Sequence, residues 1–187
     1  MTELAHRPWN AWRVVRWTAA ATLLAIPALA MQVSSEWNWS VGDFVFASVM
    51  IIGTALLYEG VTKLSDNLFY RAGAVMALAA AFLLVWINLA VGVIGNEDDP
   101  HNAVYFCEVL LAAATAFAAG LRPAGMTRAM LATGGFQLLI TALAAFDGWG
   151  ASEPPGATGV LGLNLGFAAM WLLSAAFFWK AARNRAN

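Results

Sequence analysis

The chain has 187 residues, 61% of them hydrophobic and 11% charged, with a formal net charge of −1 and a mean hydropathy of +0.67. Soluble domains carry roughly a quarter charged residues, so this chain lacks the charge to solvate a water-facing surface. Its balance offers no basic patch for nucleic acid, and its single cysteine, Cys107, permits no intrachain disulfide.

Six apolar segments follow in chain order, most of them close to the roughly 20 residues that cross a hydrocarbon core of about 30 Å. The first, residues 17–33, contains Pro27, which kinks a helix. It ends in Ala28-Leu29-Ala30, which mimics a signal cleavage site; we read it as an uncleaved signal anchor. Trp9, Trp12, Arg13, Arg16 and Trp17 before it suit an amphipathic lead-in helix on the membrane surface. The second segment, residues 41–61, opens on Ser40-Val41-Gly42-Asp43. This is a capping box with Asp where Glu or Gln is usual.

The third segment, residues 71–94, carries a ridge of small residues, Gly73, Ala77 and Ala81. The fourth, residues 103–121, is rich in Ala. The fifth covers 126–146 and the sixth 158–180, where Gly162 and Gly166 form a GxxxG. Both sets of small residues suit close helix packing, within the chain or across a dimer. Transmembrane strands would show alternating segments of about ten residues, whereas these runs are continuous. The pattern predicts an all-α polytopic membrane protein, one domain forming a bundle of six transmembrane helices joined by short connections.

Orientation follows from the cations. Arg7, Arg13 and Arg16 precede the first segment. Lys63 and Arg71 flank the second connection, and Arg122 and Arg128 the fourth. Lys180, Arg183 and Arg185 follow the sixth. These are all ten Lys and Arg residues, and in a six-span chain they fall on one side. The positive-inside rule makes that side the cytoplasm, with both termini there. The other side carries Glu36, Asp43, Glu97, Asp98, Asp99, Asp147 and Glu153. Trp9, Trp12, Trp17 and Trp179 on one side, and Trp37, Trp39 and Trp149 on the other, suit interfacial belts.

Polar groups within a bilayer are costly and usually face the bundle interior. Glu108 is the ionisable residue well inside a predicted span; Asn88, Gln137 and Asn164 are the principal amides. At about 1.5 Å per residue these four lie roughly 8–13 Å below the outer boundary, one layer supplied by four helices. They form either a polar cup open to the periplasm, with Glu108 as its charged or proton-carrying ligand group, or an interhelical hydrogen-bond network. Sequence supplies their depth but not their azimuth.

The outer loop from Asn96 to Asn102 is densely polar. Asp98, Asp99 and His101 are candidate ligands for a divalent cation. Against that, Asp99 followed by Pro100 suits a helix N-cap and first turn. Both histidines, His6 and His101, lie outside the spans, so a transmembrane b-type haem, which needs paired imidazoles, is not expected. No span carries a Lys for a retinal Schiff base. Walker, GxSxG and HExxH motifs are absent, and no catalytic residue is assigned.

The stretch from Phe82 to Pro100, containing Val85-Trp86-Ile87-Asn88-Leu89-Ala90-Val91-Gly92-Val93-Ile94-Gly95-Asn96-Glu97-Asp98-Asp99-Pro100, with Trp37-Asn38-Trp39-Ser40 upstream, resembles a family of small bacterial inner-membrane proteins. The resemblance covers about half the chain. It implies a bacterial inner membrane and carries no activity and no functional residues. Three functions fit: a non-catalytic accessory or structural subunit of a membrane complex or homo-oligomer, a small-solute or ion-binding transport protein, and a metal-dependent membrane enzyme.

Overall fold

The computed structural model describes residues 11–34 and 38–184, without the side chains of 11–13, 15 and 16. Expectations resting on His6, Arg7, Trp9, Trp12, Arg13, Arg16, Glu36, Trp37 and Arg185 lie outside the described residues. The described chain is all-α. Its helices are α1 (Ala11–Val33), α2 (Val41–Leu64), α3 (Leu68–Ala90), α4 (Ala103–Ala118), α5 (Pro123–Asp147) and α6 (Gly156–Arg183). A 3-10 turn, Pro100–Asn102, leads into α4.

Five helical stretches among the described residues are long and apolar enough to cross a membrane: α2, α3, Pro100–Ala118, α5 and α6. The described apolar part of α1, Trp17–Val33, falls just short of that length.

The chain divides into two units, Met1–Glu59 and Gly60–Asn187. In the first, α1 carries Pro27 within its helix. The expected capping box opens α2: Asp43 N donates to Ser40 Oγ at 3.2 Å, and Ser40 N donates to Asp43 Oδ2 at 2.7 Å. Trp39 meets Phe44 edge-on at 5.2 Å, which is the apolar staple that often accompanies such a box.

In the second unit α6 packs against both α5 and α3, and α4 packs against α5 and more lightly against α3. Asn67 caps α3, its Oδ1 accepting from Phe69 N and Tyr70 N. Arg71 reaches back to the end of α2, donating to Thr62 O and Ser65 O and pairing with Asp66. A cation there satisfies carbonyls that a helix end leaves open. Gly148 ends α5 at φ +71, its N–H bonded to Ala144 O, the left-handed cap that glycine adopts without strain.

The unit has chemically distinct ends. Tyr70 OH donates to Leu121 O at 2.7 Å, and Lys180 lies over the Phe69 ring at 4.2 Å. These contacts gather the α2–α3 turn, the α4–α5 turn and the end of α6, and with them Lys63, Arg71, Arg122 and Lys180. At the other end Asn96 Nδ2 donates to Glu153 Oε2 at 2.7 Å, joining the α3–α4 and α5–α6 loops that hold the acids.

Between the ends lie two apolar clusters. One, toward the basic end, centres on Tyr70, Met130, Trp171 and Phe178. The other, toward the acidic end, centres on Leu84, Ile94, Tyr105, Ile140 and Phe167. The α3 ridge packs within the chain: a Cβ at Gly73 would meet the Phe178 ring at 3.0 Å. Ser174 Oγ donates to Gly73 O across the same contact at 2.8 Å. Gly162 and Gly166, in contrast, would meet nothing within 4 Å.

The largest departure from the sequence pattern concerns residues 91–94, which read as the end of the third span. Helix α3 stops at Ala90, and the chain turns back on itself. Val93 and Ile94 are 0% exposed, so the apolar run continues into the core rather than along a helix. Gly92 makes the reversal at φ +76; a Cβ there would stand 2.4 Å from Asn96 O, which no side chain tolerates.

Candidate functional site

The structure brings together three of the four polar residues singled out from sequence. Glu108 on α4, Gln137 on α5 and Asn164 on α6 are each 0% exposed. Gln137 Nε2 donates to Asn164 Oδ1 at 2.7 Å. Asn164 Nδ2 donates to Val160 O, one turn earlier on its own helix, at 2.8 Å. The far end of the Gln137 amide stands 2.8 and 3.1 Å from the two Glu108 oxygens. A carboxyl and two amides thus lie end to end across three helices.

Two aromatic residues complete the cluster, and sequence reasoning missed both. Tyr105 OH donates to Asn164 Oδ1 at 3.0 Å. Trp171 lies beside the Glu108 carboxyl, yet its Nε1 lacks hydrogen-bonding geometry and is a buried donor without a partner. The spacing held the signal. Tyr105 and Glu108 are three residues apart on α4, and Asn164 and Trp171 seven apart on α6, so each pair shares a helix face. On α5, Thr133, Gln137 and Thr141 repeat every four residues, and all three are buried.

Asn88 belongs to a different network. It is 2% exposed, its Nδ2 donates to Asn102 O at 3.1 Å, and its Oδ1 has no partner. Asn102 is the hub of the acidic-end loop. Its Oδ1 accepts from Val93 N at 3.2 Å and Ile94 N at 2.9 Å. Its Nδ2 donates to Ile94 O at 3.0 Å and Asn96 O at 2.7 Å. Four hydrogen bonds from one side chain hold the folded-back segment in place.

The candidate metal ligands Asp98, Asp99 and His101 are disposed as a cap. Asp99 Oδ1 accepts from His101 N at 2.9 Å and lies 2.8 Å from His101 Nδ1. The His101 ring stacks on Trp149 at 4.4 Å, so Trp149 bridges two loops. Asp98 is held through its backbone N, which donates to Asn96 Oδ1 at 2.9 Å. Among the described residues no three His, Cys, Asp or Glu side chains are placed to hold a metal ion. Cys107, next to Glu108 in sequence, is exposed, since neighbours on a helix point about 100° apart.

No protein-family model, no curated protein and no solved structure matches this chain.

Proposed function

We propose that this chain is a six-span protein of a bacterial inner membrane, with both termini in the cytoplasm. In this reading it serves as a non-catalytic accessory or structural subunit of a membrane complex. The sixth span is α1, whose full helix Ala11–Val33 has 23 residues, enough for a core of about 30 Å. The orientation rests on the gathering of Lys63, Arg71, Arg122 and Lys180 at one end of the second unit, because cytoplasmic loops carry the excess of cations.

One observation carries the structural role: Glu108, Gln137 and Asn164 are fully buried and lie end to end, Gln137 bonded to Asn164 and its far end within 3.1 Å of both Glu108 oxygens. Their polarity is spent inside the bundle, which weighs against a solute cup open to the outer face. Helix α2, by comparison, is apolar and little buried. Its Val45 and Val49, 58% and 66% exposed, offer a face for lipid or for a partner helix.

Thiol labelling of intact cells tests the topology in a Cys107→Ser background. Asp98→Cys is expected to react with an impermeant reagent and Lys63→Cys only after permeabilisation; the reverse pattern refutes the orientation. Extraction into native-lipid nanodiscs tests the role. A second polypeptide at fixed stoichiometry, lost when Val45 and Val49 become Ser, is the expected result. A lone chain with lipid only refutes it.

A further inference from the structure

The hydrogen-bond directions in the Glu108 cluster constrain where its protons sit. Asn164 Nδ2 donates to Val160 O at 2.8 Å, which leaves Asn164 Oδ1 as an acceptor facing Gln137 at 2.7 Å. Gln137 must therefore present Nε2 to Asn164, and its Oε1 then faces the two Glu108 oxygens at 2.8 and 3.1 Å. A carbonyl oxygen and a carboxylate cannot share a contact that short without a proton between them. The chain of bonds closes only if Glu108 supplies an O–H.

The opposite assignment fails at the next contact. Turning the Gln137 amide lets Nε2 donate to an ionised Glu108, but places Gln137 Oε1 2.7 Å from Asn164 Oδ1, acceptor against acceptor. Turning Asn164 as well relieves that contact and sets its oxygen against Val160 O instead, where Nδ2 now donates. An ionised cluster carries one acceptor–acceptor clash wherever the amides are turned. One arrangement is free of an acceptor–acceptor contact, that with Glu108 protonated and Gln137 Nε2 on Asn164 Oδ1.

The surroundings offer no cation to offset a negative charge, and the nearby Trp171 N–H lacks hydrogen-bonding geometry to the carboxyl. Among the described residues Glu108 has no cationic partner; Arg71 pairs with Asp66 and His101 with Asp99. The other titratable group in the cluster is Tyr105, on the same helix and bonded to Asn164. A buried carboxylate without a cation is a large cost, and a protonated carboxyl avoids it.

We infer that Glu108 is a proton-binding site: a neutral carboxylic acid whose O–H donates to Gln137 Oε1, so that the contact of α4, α5 and α6 is built around a bound proton. The ligand is the proton itself. Its loss places an acceptor clash between Glu108 and Gln137, between Gln137 and Asn164 or between Asn164 and Val160, according to which amides turn. This goes beyond the accessory role, which requires no protonatable group in the core.

Infrared spectroscopy of the full chain in lipid nanodiscs at neutral pH tests it directly, because a carboxylic acid has a C=O stretch that a carboxylate lacks. Wild type is expected to show that band, the band is expected to move on labelling glutamate at the side-chain carboxyl carbon, and Glu108→Gln is expected to lose it. A spectrum with no labelled-glutamate acid band overturns the inference, as does a band that survives Glu108→Gln. Should that variant not fold, the labelled wild type decides alone: a glutamic-acid band slow to exchange in deuterium oxide supports the buried proton, and its absence refutes it.

Discussion

Asn102→Ala removes the hub of the acidic-end loop. The side chain makes four hydrogen bonds, with Val93 N, Ile94 N, Ile94 O and Asn96 O. Each is worth about 0.5–1.5 kcal/mol net, and more where a buried group is left unsatisfied. Asn96 O keeps a second partner, accepting from Asp99 N at 3.2 Å, so it is not left unsatisfied. Val93 and Ile94 are 0% exposed, so their groups do not turn to water. Three bonds at about 1 kcal/mol give a loss of about 3 kcal/mol, a rise of roughly a hundredfold in the open population of the loop. Hydrogen exchange in nanodiscs, read by mass spectrometry on peptides covering residues 91–96, measures this change locally. Exchange there is expected to quicken by about that factor while peptides within α6 stay protected. Unchanged protection at residues 91–96 would refute the assignment of Asn102 as the anchor.

Two further outcomes follow from the packing. Gly92→Ala forces a Cβ to within 2.4 Å of Asn96 O at φ +76 and is expected to cost more than the roughly 1–2 kcal/mol of a left-handed residue alone. Gly162→Ala meets nothing within 4 Å and gains up to about 1 kcal/mol of helix propensity. Steric-trapping measurements of unfolding should therefore separate the two variants in sign. A destabilised Gly162→Ala would point instead to a neighbouring chain on that face. Trp149→Ala removes the 4.4 Å stack on His101, worth about 0.5–1.5 kcal/mol, and is expected to speed acylation of His101. Equal rates in variant and wild type would show that the stack does not restrain the ring.

The helices and the gathering of cations in the second unit were legible because each rests on a one-dimensional signal, apolar run length or charge position along the chain. The cluster was legible only in depth. Glu108, Gln137 and Asn164 were placed in one layer by counting residues. Which way each pointed was not readable, because helices apolar on every side have no polar face to set their rotation. Asn88 shows the cost of that: it shares the layer yet bonds to Asn102. The fold-back at 91–94 was misread for a related reason. Val91, Val93 and Ile94 are as apolar as any span residue, and the punctuation lay in Gly92 and Gly95, both at positive φ. The capping roles of Asp43 and Asp99 were readable, since caps are set by neighbours in sequence. Tyr105 and Trp171 were missed because an aromatic residue in a span has a packing explanation ready to hand.

The reversed segment at the acidic end also governs timing. Val93 and Ile94 belong to the same apolar cluster as Tyr105 and Val160, so they stopper the interior on the side where the polar column begins. Loosening these few loop residues, which Asn102 holds, is expected to admit water on that side and to speed exchange at the carboxyl of α4.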